Sequence, residues 1–334
     1  MKVLDIGLAF DLKPAHLPAP DAPIDLHEEY DGEDTIEALT ETLTALGHRP
    51  RRLGGGRGFL EAMLARPPQL VFNLAEGRGS RSREAHVPAV CEMLGVPCTG
   101  SDPLSMALAL DKALSKQVVL SAGIRTAAFR VIGTRSEIDA LDLPLPLFVK
   151  PVAEGSSMGV RVSSLVRDVA QLRREIERCL TQYRQPVLVE TFLAGAEVTV
   201  AIHGRGPTAR VLGTMEIAPA DGRVGEFVYG LESKRNYKQL VTYHVPPRLP
   251  AVQRADAEGV ALAAYRALGC RDLARVDVRM DAAGHAHFIE LNPLPGLNPV
   301  TGDICLIANG IGLPYSELVG SVVEEAIRRS PDLQ

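Results

Sequence analysis

The sequence predicts an α/β unit followed by α+β units, and three observations lead there. Apolar runs of strand length alternate with helical patterns from the N-terminus to Leu94, the pattern of βαβ crossovers on a parallel sheet. Beyond Thr181 strand patterns dominate until one long helix. Near the C-terminus two alternating runs, Arg275–Met280 and His287–Asn292, flank the turn residues Asp281 to Gly284 and read as a hairpin. At 334 residues, 46% hydrophobic and 23% charged, the chain exceeds one ordinary core and reads as a soluble globular protein of two or three domains.

In chain order, Lys2–Ala9 reads as a strand and Lys13–Pro23 as a proline-rich loop. Asp34–Leu46 reads as a helix with Asp34 as N-cap, Glu37 three residues on and Gly47 as its stop. Leu70–Leu74 is the next strand and Arg83–Leu94 the next helix. Gly54 to Gly58 follows Arg51-Arg-Leu53 rather than a convincing strand, so it is read as a flexible loop, and no GxGxxG follows Ile6 to suggest a dinucleotide site. A second unit starts near Val96-Pro97, with a helix over Pro103–Ala122, a strand over Leu147–Lys150, a helix over Val166–Thr181 and a strand over Pro186–Glu190. A helix over Pro250–Leu268, the hairpin, and a final helix over Tyr315–Arg329 complete the chain.

Side chains alternate across a strand, so Arg275, Asp277 and Arg279 share one face and Val276, Val278 and Met280 pack behind them. An even-numbered turn would set Met280 opposite His285 and Asp277 opposite Phe288, bringing Glu290 and Asn292 to the side of Asp277. Two carboxylates and an amide oxygen beside a guanidinium suit a hard divalent cation that bridges phosphates, since Mg²⁺ takes oxygen ligands. On the hairpin alone, a solvated charged face is nearly as good a reading.

A net charge of -5 argues against a nucleic-acid-binding protein while leaving room for a local basic pocket. Five scattered cysteines (Cys91, Cys98, Cys179, Cys270, Cys305) lack metal or redox spacing and fit the reducing cytosol, so a cytoplasmic location is expected. No stretch reads as a signal sequence or as a membrane span. Two further segments carry chemistry. Phe148 to Gly159 delivers Lys150 at a strand end into a loop of glycine and serine, whose backbone N–H groups and hydroxyls can hold phosphate. Val187 to Val200 joins two apolar runs through a polar connection ending in Glu197, where backbone groups can read a base edge and a carboxylate can hold a ribose.

Taken in order, Val71–Gly77, Val96–Ser101, Leu110-Asp-Lys112 with Lys116, Lys150 to Gly159, Glu190 to Glu197, Arg275-Val-Asp277 and Glu290 to Gly296 resemble the ATP-grasp superfamily, most closely its D-alanine-D-alanine ligase branch. The resemblance implies an ATP-grasp architecture: an N-terminal Rossmann-like parallel-sheet domain (1–96), a central subdomain (97–185) and a C-terminal subdomain with the metal site (186–334), the last two being α+β domains clasping ATP. It implies Lys112 and Lys150 on phosphates, with the loop of Glu154, Ser156 and Ser157 around them. The backbone from Thr191 to Leu193 and Glu190 would take adenine, and Glu197 the ribose. Asp277, Glu290 and Asn292 would hold two Mg²⁺ or Mn²⁺ ions. It implies an ATP-dependent carboxylate-amine ligase acting through an acyl phosphate on two small amino-acid-like substrates, as a homodimer. Arg275 and the Gly296 N–H would be its oxyanion donors, Ser156 would lie beside the first substrate, and Thr301 could take the carboxylate of the second. Cell-wall D-alanine-D-alanine ligation and a non-catalytic nucleotide-binding module are the alternatives. The module would shed metal carboxylates, which this chain keeps.

Departures from the branch bear on the substrate. The glutamate that orients the first amino group has no motif match, and Glu28 or Glu29 stands at about the right distance along the chain. Glu76 replaces a histidine common after the second strand. In the lid, Glu232-Ser-Lys-Arg-Asn-Tyr237 keeps Lys234 but puts Arg235 where the branch carries tyrosine, which points to a substrate with an extra anionic group. A solvated Arg235, or Tyr237 in the tyrosine's place, are the other readings.

Overall fold

A computed structural model describes residues 2–15, 18–19 and 22–333, so His16, Leu17, Pro20 and Asp21 of the expected proline-rich loop lie outside the described residues. The chain opens with strand β1 (Asp5–Phe10), helix α1 (Glu33–Ala45), strand β2 (Arg49–Gly54), helix α2 (Gly56–Ala65), strand β3 (Leu70–Leu74) and helix α3 (His86–Met93). The three strands form a parallel sheet in the order β2-β1-β3. The residues read as a loop at Gly54–Gly58 instead end β2 and begin α2. Three arginines make β2 look polar because it is an edge strand with only Leu53 buried, while Phe59 and Met63 of α2 seal the same side of the sheet. Helix α1 starts one residue early, from an N-cap at Gly32 with no side-chain cap. A 3-10 turn at Arg83–Ala85 opens what was expected as one helix through Leu94.

Next come α4 (Pro103–Leu110), α5 (Lys112–Ser121), β4 (Phe129–Ile132), β5 (Leu147–Pro151), β6 (Leu165–Val166), α6 (Val169–Tyr183) and β7 (Val187–Thr191). The single helix expected over Pro103–Ala122 breaks at Asp111, whose extended backbone (ψ 97°) ends α4 while its carboxylate accepts the Ala113 and Leu114 N–H groups at the start of α5. That break brings the Lys112 amide to the Val152 carbonyl. The antiparallel sheet β4-β7-β5-β6 packs on α6 through Leu172, Ile176 and Cys179.

The remainder is β8 (Glu197–Arg205), β9 (Arg210–Pro219), the short lid helices α7 (Leu231–Arg235) and α8 (Tyr237–Leu240), β10 (Val241–His244), α9 (Ala251–Ala267), β11 (Arg271–Met280), β12 (Ala286–Asn292), α10 (Asp303–Gly310) and α11 (Tyr315–Arg328). Its five strands lie in the order β10-β9-β8-β11-β12. The hairpin register differs from the expected one. The loop is odd, so Met280 faces Ala286 and Val278 faces Phe288; a bulge at Ile289 then sets Asp277 opposite Glu290 and Arg275 opposite Asn292. Without that extra residue the acidic and amide groups would turn to the apolar side with Val276, because a slip of one residue exchanges the two faces of a strand.

Helices α10 and α11 return to the first sheet, where Ile304, Leu318, Val322 and Val323 share a core with Leu4, Ile6, Leu8 and Leu39. A second tie joins the N-terminal unit to the glycine-serine loop. Asp25 is fully buried and accepts the Gly159 N–H (2.9 Å), the Arg161 guanidinium (2.9 Å) and the Tyr183 hydroxyl (2.8 Å). A buried carboxylate with three donors is a strong fixture, since removing it would leave the buried Gly159 N–H without an acceptor.

Candidate active site

Three connected cavities open where the sheets meet. The first, about 90 Å³, lies between the two antiparallel sheets and is lined by Phe148, Met158, Val160, Thr191, Phe192, Leu193, Glu197 and Ile289 at one end and by Lys112, Lys150, Glu154, Ser157, Lys234, Arg275, Asp277 and Glu290 at the other. An apolar slot ending in cations suits, in polarity, an aromatic base followed by phosphates. Phe148 and Phe192 stack with centroids 6.3 Å apart, and Arg279 covers Phe192 at 4.6 Å while donating to Glu197 at 3.1 Å. Of the three, only the backbone of Phe192 fell within the stretch expected on adenine; Phe148 and Arg279 were not singled out for ligand contact, although Arg279 alternates in step with Arg275 and Asp277.

Glu190 is buried between Lys150 (2.8 Å) and Lys116 (2.7 Å). Burial alone would raise its pKa, yet the two ammonium groups outweigh it and hold the carboxyl down at about 2. As the chain stands, Lys150 is thus spent partly on Glu190 at the head of the slot. Lys112 lies 3.4 Å from Glu290 and donates to the Glu154 carbonyl.

Asp277 and Glu290 face one another across the bulged hairpin. Asp277 accepts the Thr199 hydroxyl at 2.6 Å and lies 3.5 Å from Arg275. Burial and then the neighbouring Glu290 charge raise its pKa above the ordinary value, only partly offset by Arg275. Glu290 goes the other way: burial would raise it, but Lys112, Lys150 and Arg275 hold it at about 2. An oxygen-only pair whose mutual repulsion is incompletely cancelled fits a divalent cation, with the Asn292 amide oxygen, which already accepts the Leu294 N–H at 2.9 Å, at the rim. Among the described residues no three of His, Cys, Asp and Glu gather into a ready-made metal cage, so phosphate oxygens would have to complete the shell.

The second cavity, about 380 Å³, lies on the N-terminal side and is lined by Glu28, Glu29, Tyr30, Asp31, Glu76, Ser156, Tyr229, Lys234, Tyr237, Tyr243, Arg275, Asn292, Gly296, Thr301 and Asp303 among others. Lys234 sits 5.3 Å from the Tyr229 ring centroid, and burial lowers its pKa. Arg275 is held in place by Asp303, the first residue of α10, at 2.6 Å. Asp303 and Tyr229 were missed because neither stands in a motif. The space beside Gly296 is open, so a ligand could reach its backbone.

Two expectations change here. Of the paired acids, Glu28 holds Lys13 (3.3 Å) and Arg235 (3.0 Å), whereas Glu29 is buried against Arg83 (2.8 Å) beside Ser156. A Cβ at Gly155 would meet the Glu29 carboxylate at 2.8 Å, so the loop needs glycine there. Arg235 lines none of these cavities. Its fork is taken up by Glu28 and the Ile24 carbonyl (3.1 Å) on the outside of the lid, and Tyr237 lines the cavity instead.

The third cavity, a side chamber of about 30 Å³, is lined by Glu29, Glu76, Glu84, Lys112, Glu154, Ser156, Arg275, Glu290 and Asn292. Glu84 there is 5% exposed, and burial, with Glu29 and Glu290 adding to it against Arg83 and Lys112, raises its pKa to about 7 from the ordinary 4.5. The folded protein therefore keeps a proton that the unfolded chain has lost between those values, so this carboxyl costs stability as pH rises through about 7. Thermal unfolding of Glu84→Gln against the unsubstituted protein checks this: the variant's advantage is expected to be nil near pH 4.5 and to grow to a plateau above pH 7.

The chain is similar to known proteins along most of its length. Residues 120–324 match the family model described as D-ala D-ala ligase C-terminus. The chain is 33% identical to an uncharacterized protein, y4sG, of Sinorhizobium fredii, over 88% of this chain and 87% of that protein. It is 34% identical to a D-alanine--D-alanine ligase of Bordetella petrii over 87% of this chain and 86% of the relative. A crystal structure of D-alanine--D-alanine ligase from Bacillus anthracis complexed with ATP superposes with a TM-score of 0.72 at 21% identity, covering 99% of this chain and all (100%) of that one.

Proposed function

The chain belongs to the D-alanine-D-alanine ligase family, with an ATP-grasp fold and ATP-dependent carbon–nitrogen ligase activity, and from that premise we propose how its own residues divide the work. Adenine enters the slot between Phe148, Phe192 and Ile289, against the backbone from Thr191 to Leu193 and with Glu190 at its head. Glu197 takes the ribose, and Lys112, Lys150, Ser157 and the Glu154 loop take the phosphates. Asp277, Glu290 and Asn292 would hold Mg²⁺, which supplies charge neutralisation at the transferring phosphoryl group.

The first substrate sits beside Ser156 and Glu29. Its carboxylate oxygen attacks the γ-phosphorus, the bond to the β-phosphate oxygen breaks, and ADP leaves an acyl phosphate. The amine of the second substrate, near Thr301, then attacks the acyl carbon. Arg275 and the Gly296 N–H receive the developing oxyanion before phosphate departs. Lys234 and the lid tyrosines exclude water, which would otherwise hydrolyse the acyl phosphate. The observation that carries this reading is the direct opposition of Asp277 and Glu290, with Arg275 and Asn292 next along the same face.

Small amino-acid-type substrates, a cytoplasmic location and a homodimer belong to the same proposal. No single helix among the described residues is long and apolar enough to cross a membrane. Leu60 and Leu64 on α2 and Met93 at the end of α3 are exposed on the outer side of the first sheet and supply an apolar pairing face, which the molar mass in solution tests. ADP release with Mg²⁺ and ATP, measured over single and paired D- and L-amino acids with mass spectrometry of products, tests the activity. A dipeptide-like product with stoichiometric ADP is expected, and ATP binding without turnover on any pair would leave only a nucleotide-binding module.

A further inference from the structure

Glu76 and Glu84 both open onto the side chamber, and among the described residues neither has a hydrogen bond or an ion pair, although Glu84 is buried to 5% exposure. Every nearby cation is already committed. Arg83 grips Glu29 through two bonds (3.0 and 2.8 Å), lies 3.5 Å from Glu154 and donates to the Ala153 carbonyl at 2.9 Å. Lys112 serves Glu290 and the Glu154 carbonyl, and Arg275 serves Asp303 and Asp277. A carboxylate buried as Glu84 is, with nothing to accept from, is costly unless a ligand supplies the donors, and the half-buried Glu76 lines the same chamber.

Five glutamates line the chamber, but among the described residues no three potential ligands gather into a metal site. An organic ammonium suits it better: it needs one or two carboxylates plus neutral acceptors, and the Ser156 hydroxyl and Asn292 amide line the same chamber. Glu29, Glu76, Ser156, Arg275 and Asn292 line both this chamber and the larger cavity, so the two communicate. The α-ammonium of any amino acid would satisfy one unpaired carboxylate. The acceptor's amine must be neutral to attack and brings no lasting charge, so one carboxylate is left over.

We propose that the first-bound substrate carries a second positive charge, as a diamino acid does, and that Glu84 and Glu76 recognise its side-chain ammonium. This rests on the ligase reading above. It reverses the anionic substrate that Arg235 suggested from sequence, because Arg235 is turned out to Glu28 while the cavity wall is acidic.

The experiment compares kcat/KM for ADP release by the full chain with Mg²⁺ and ATP across alanine, aspartate, 2,3-diaminopropionate, 2,4-diaminobutyrate and lysine, in both enantiomers, alone and in pairs, with product masses. A diamino acid is expected to exceed alanine by about tenfold or more, the factor of one charge-assisted hydrogen bond. Glu84→Gln and, separately, the less buried Glu76→Gln are expected to pull that ratio toward one. Alanine or aspartate as best substrate would overturn the inference and leave the ligase reading standing. So would an equal loss on alanine and on diamino acids in both variants, which would mark these carboxyls as acting in a step common to all substrates. ATP binding with no turnover on any pair would overturn both readings together.

Discussion

Asp277→Asn and Glu290→Gln are each expected to lower kcat by roughly 10³-fold, since both remove a charged oxygen ligand where a divalent cation would supply several kcal/mol of transition-state stabilisation. Their effects on stability should part ways. The Asp277 charge is disfavoured in the fold, by burial and by Glu290, so asparagine, which can still accept from Thr199, is expected to raise the melting temperature. Glu290 is favoured as a carboxylate despite its burial, by Lys112, Lys150 and Arg275, so glutamine leaves cations unmatched and is expected to lower it. The sign follows from each pKa. A raised carboxyl penalises the fold above its unfolded value near 4, and a lowered one supports the fold there and loses that support as pH falls towards about 2. Turnover and calorimetric unfolding near neutral pH check both halves. Retention of more than about a tenth of kcat by either variant would remove these residues from metal binding, and melting shifts of the same sign would remove the electrostatic account.

What was legible in the sequence was whatever alternation and punctuation encode locally. Leu70–Leu74 is apolar on both faces and stood out as a buried strand, and Leu147 to Lys150 did so with its lysine at the end. The face shared by Arg275, Asp277 and Arg279 also followed from the two-residue period. The hairpin register did not, because the bulge at Ile289 obeys no composition rule; the right residues converge through a pairing that spacing alone places one step out. Strand β2 was lost because an edge strand may carry arginines where a central one cannot. The acids at the substrate end were ambiguous for a related reason. Glu28 and Glu29 are adjacent, so only the fold tells that one faces the lid arginine and the other the glycine-serine loop. Glu84 carried no signal at all, since a glutamate at the start of a helical pattern is ordinarily a solvated one. Its meaning comes from Arg83 being spent on Glu29 and from the chamber that closes over it.

Arg275→Ala is expected to reduce kcat by about 10²- to 10³-fold, the cost of one preorganised oxyanion donor, with the KM for ATP little changed because the residues proposed for adenine and ribose line the far end of the slot. Arg275→Lys is expected to recover little of this. Arg275 is buried, and one terminal nitrogen, Nη1, meets both Asp303 at 2.6 Å and Asp277 at 3.5 Å, which leaves the rest of the fork for the substrate cavity it lines, a geometry that a single ammonium cannot copy. Asp303 then acts through Arg275 as a positioning residue, and Asp303→Asn should cost less, about tenfold to 10²-fold, as a misplacement rather than a loss. Steady-state kinetics with ATP and the substrate pair varied separately distinguish the cases. If Arg275→Ala raised the KM for ATP at unchanged kcat, the guanidinium would be a phosphate anchor, and the tetrahedral step would need another donor. If Asp303→Asn matched Arg275→Ala in full, the two would form one unit, in which the fixed direction of the fork matters as much as its charge.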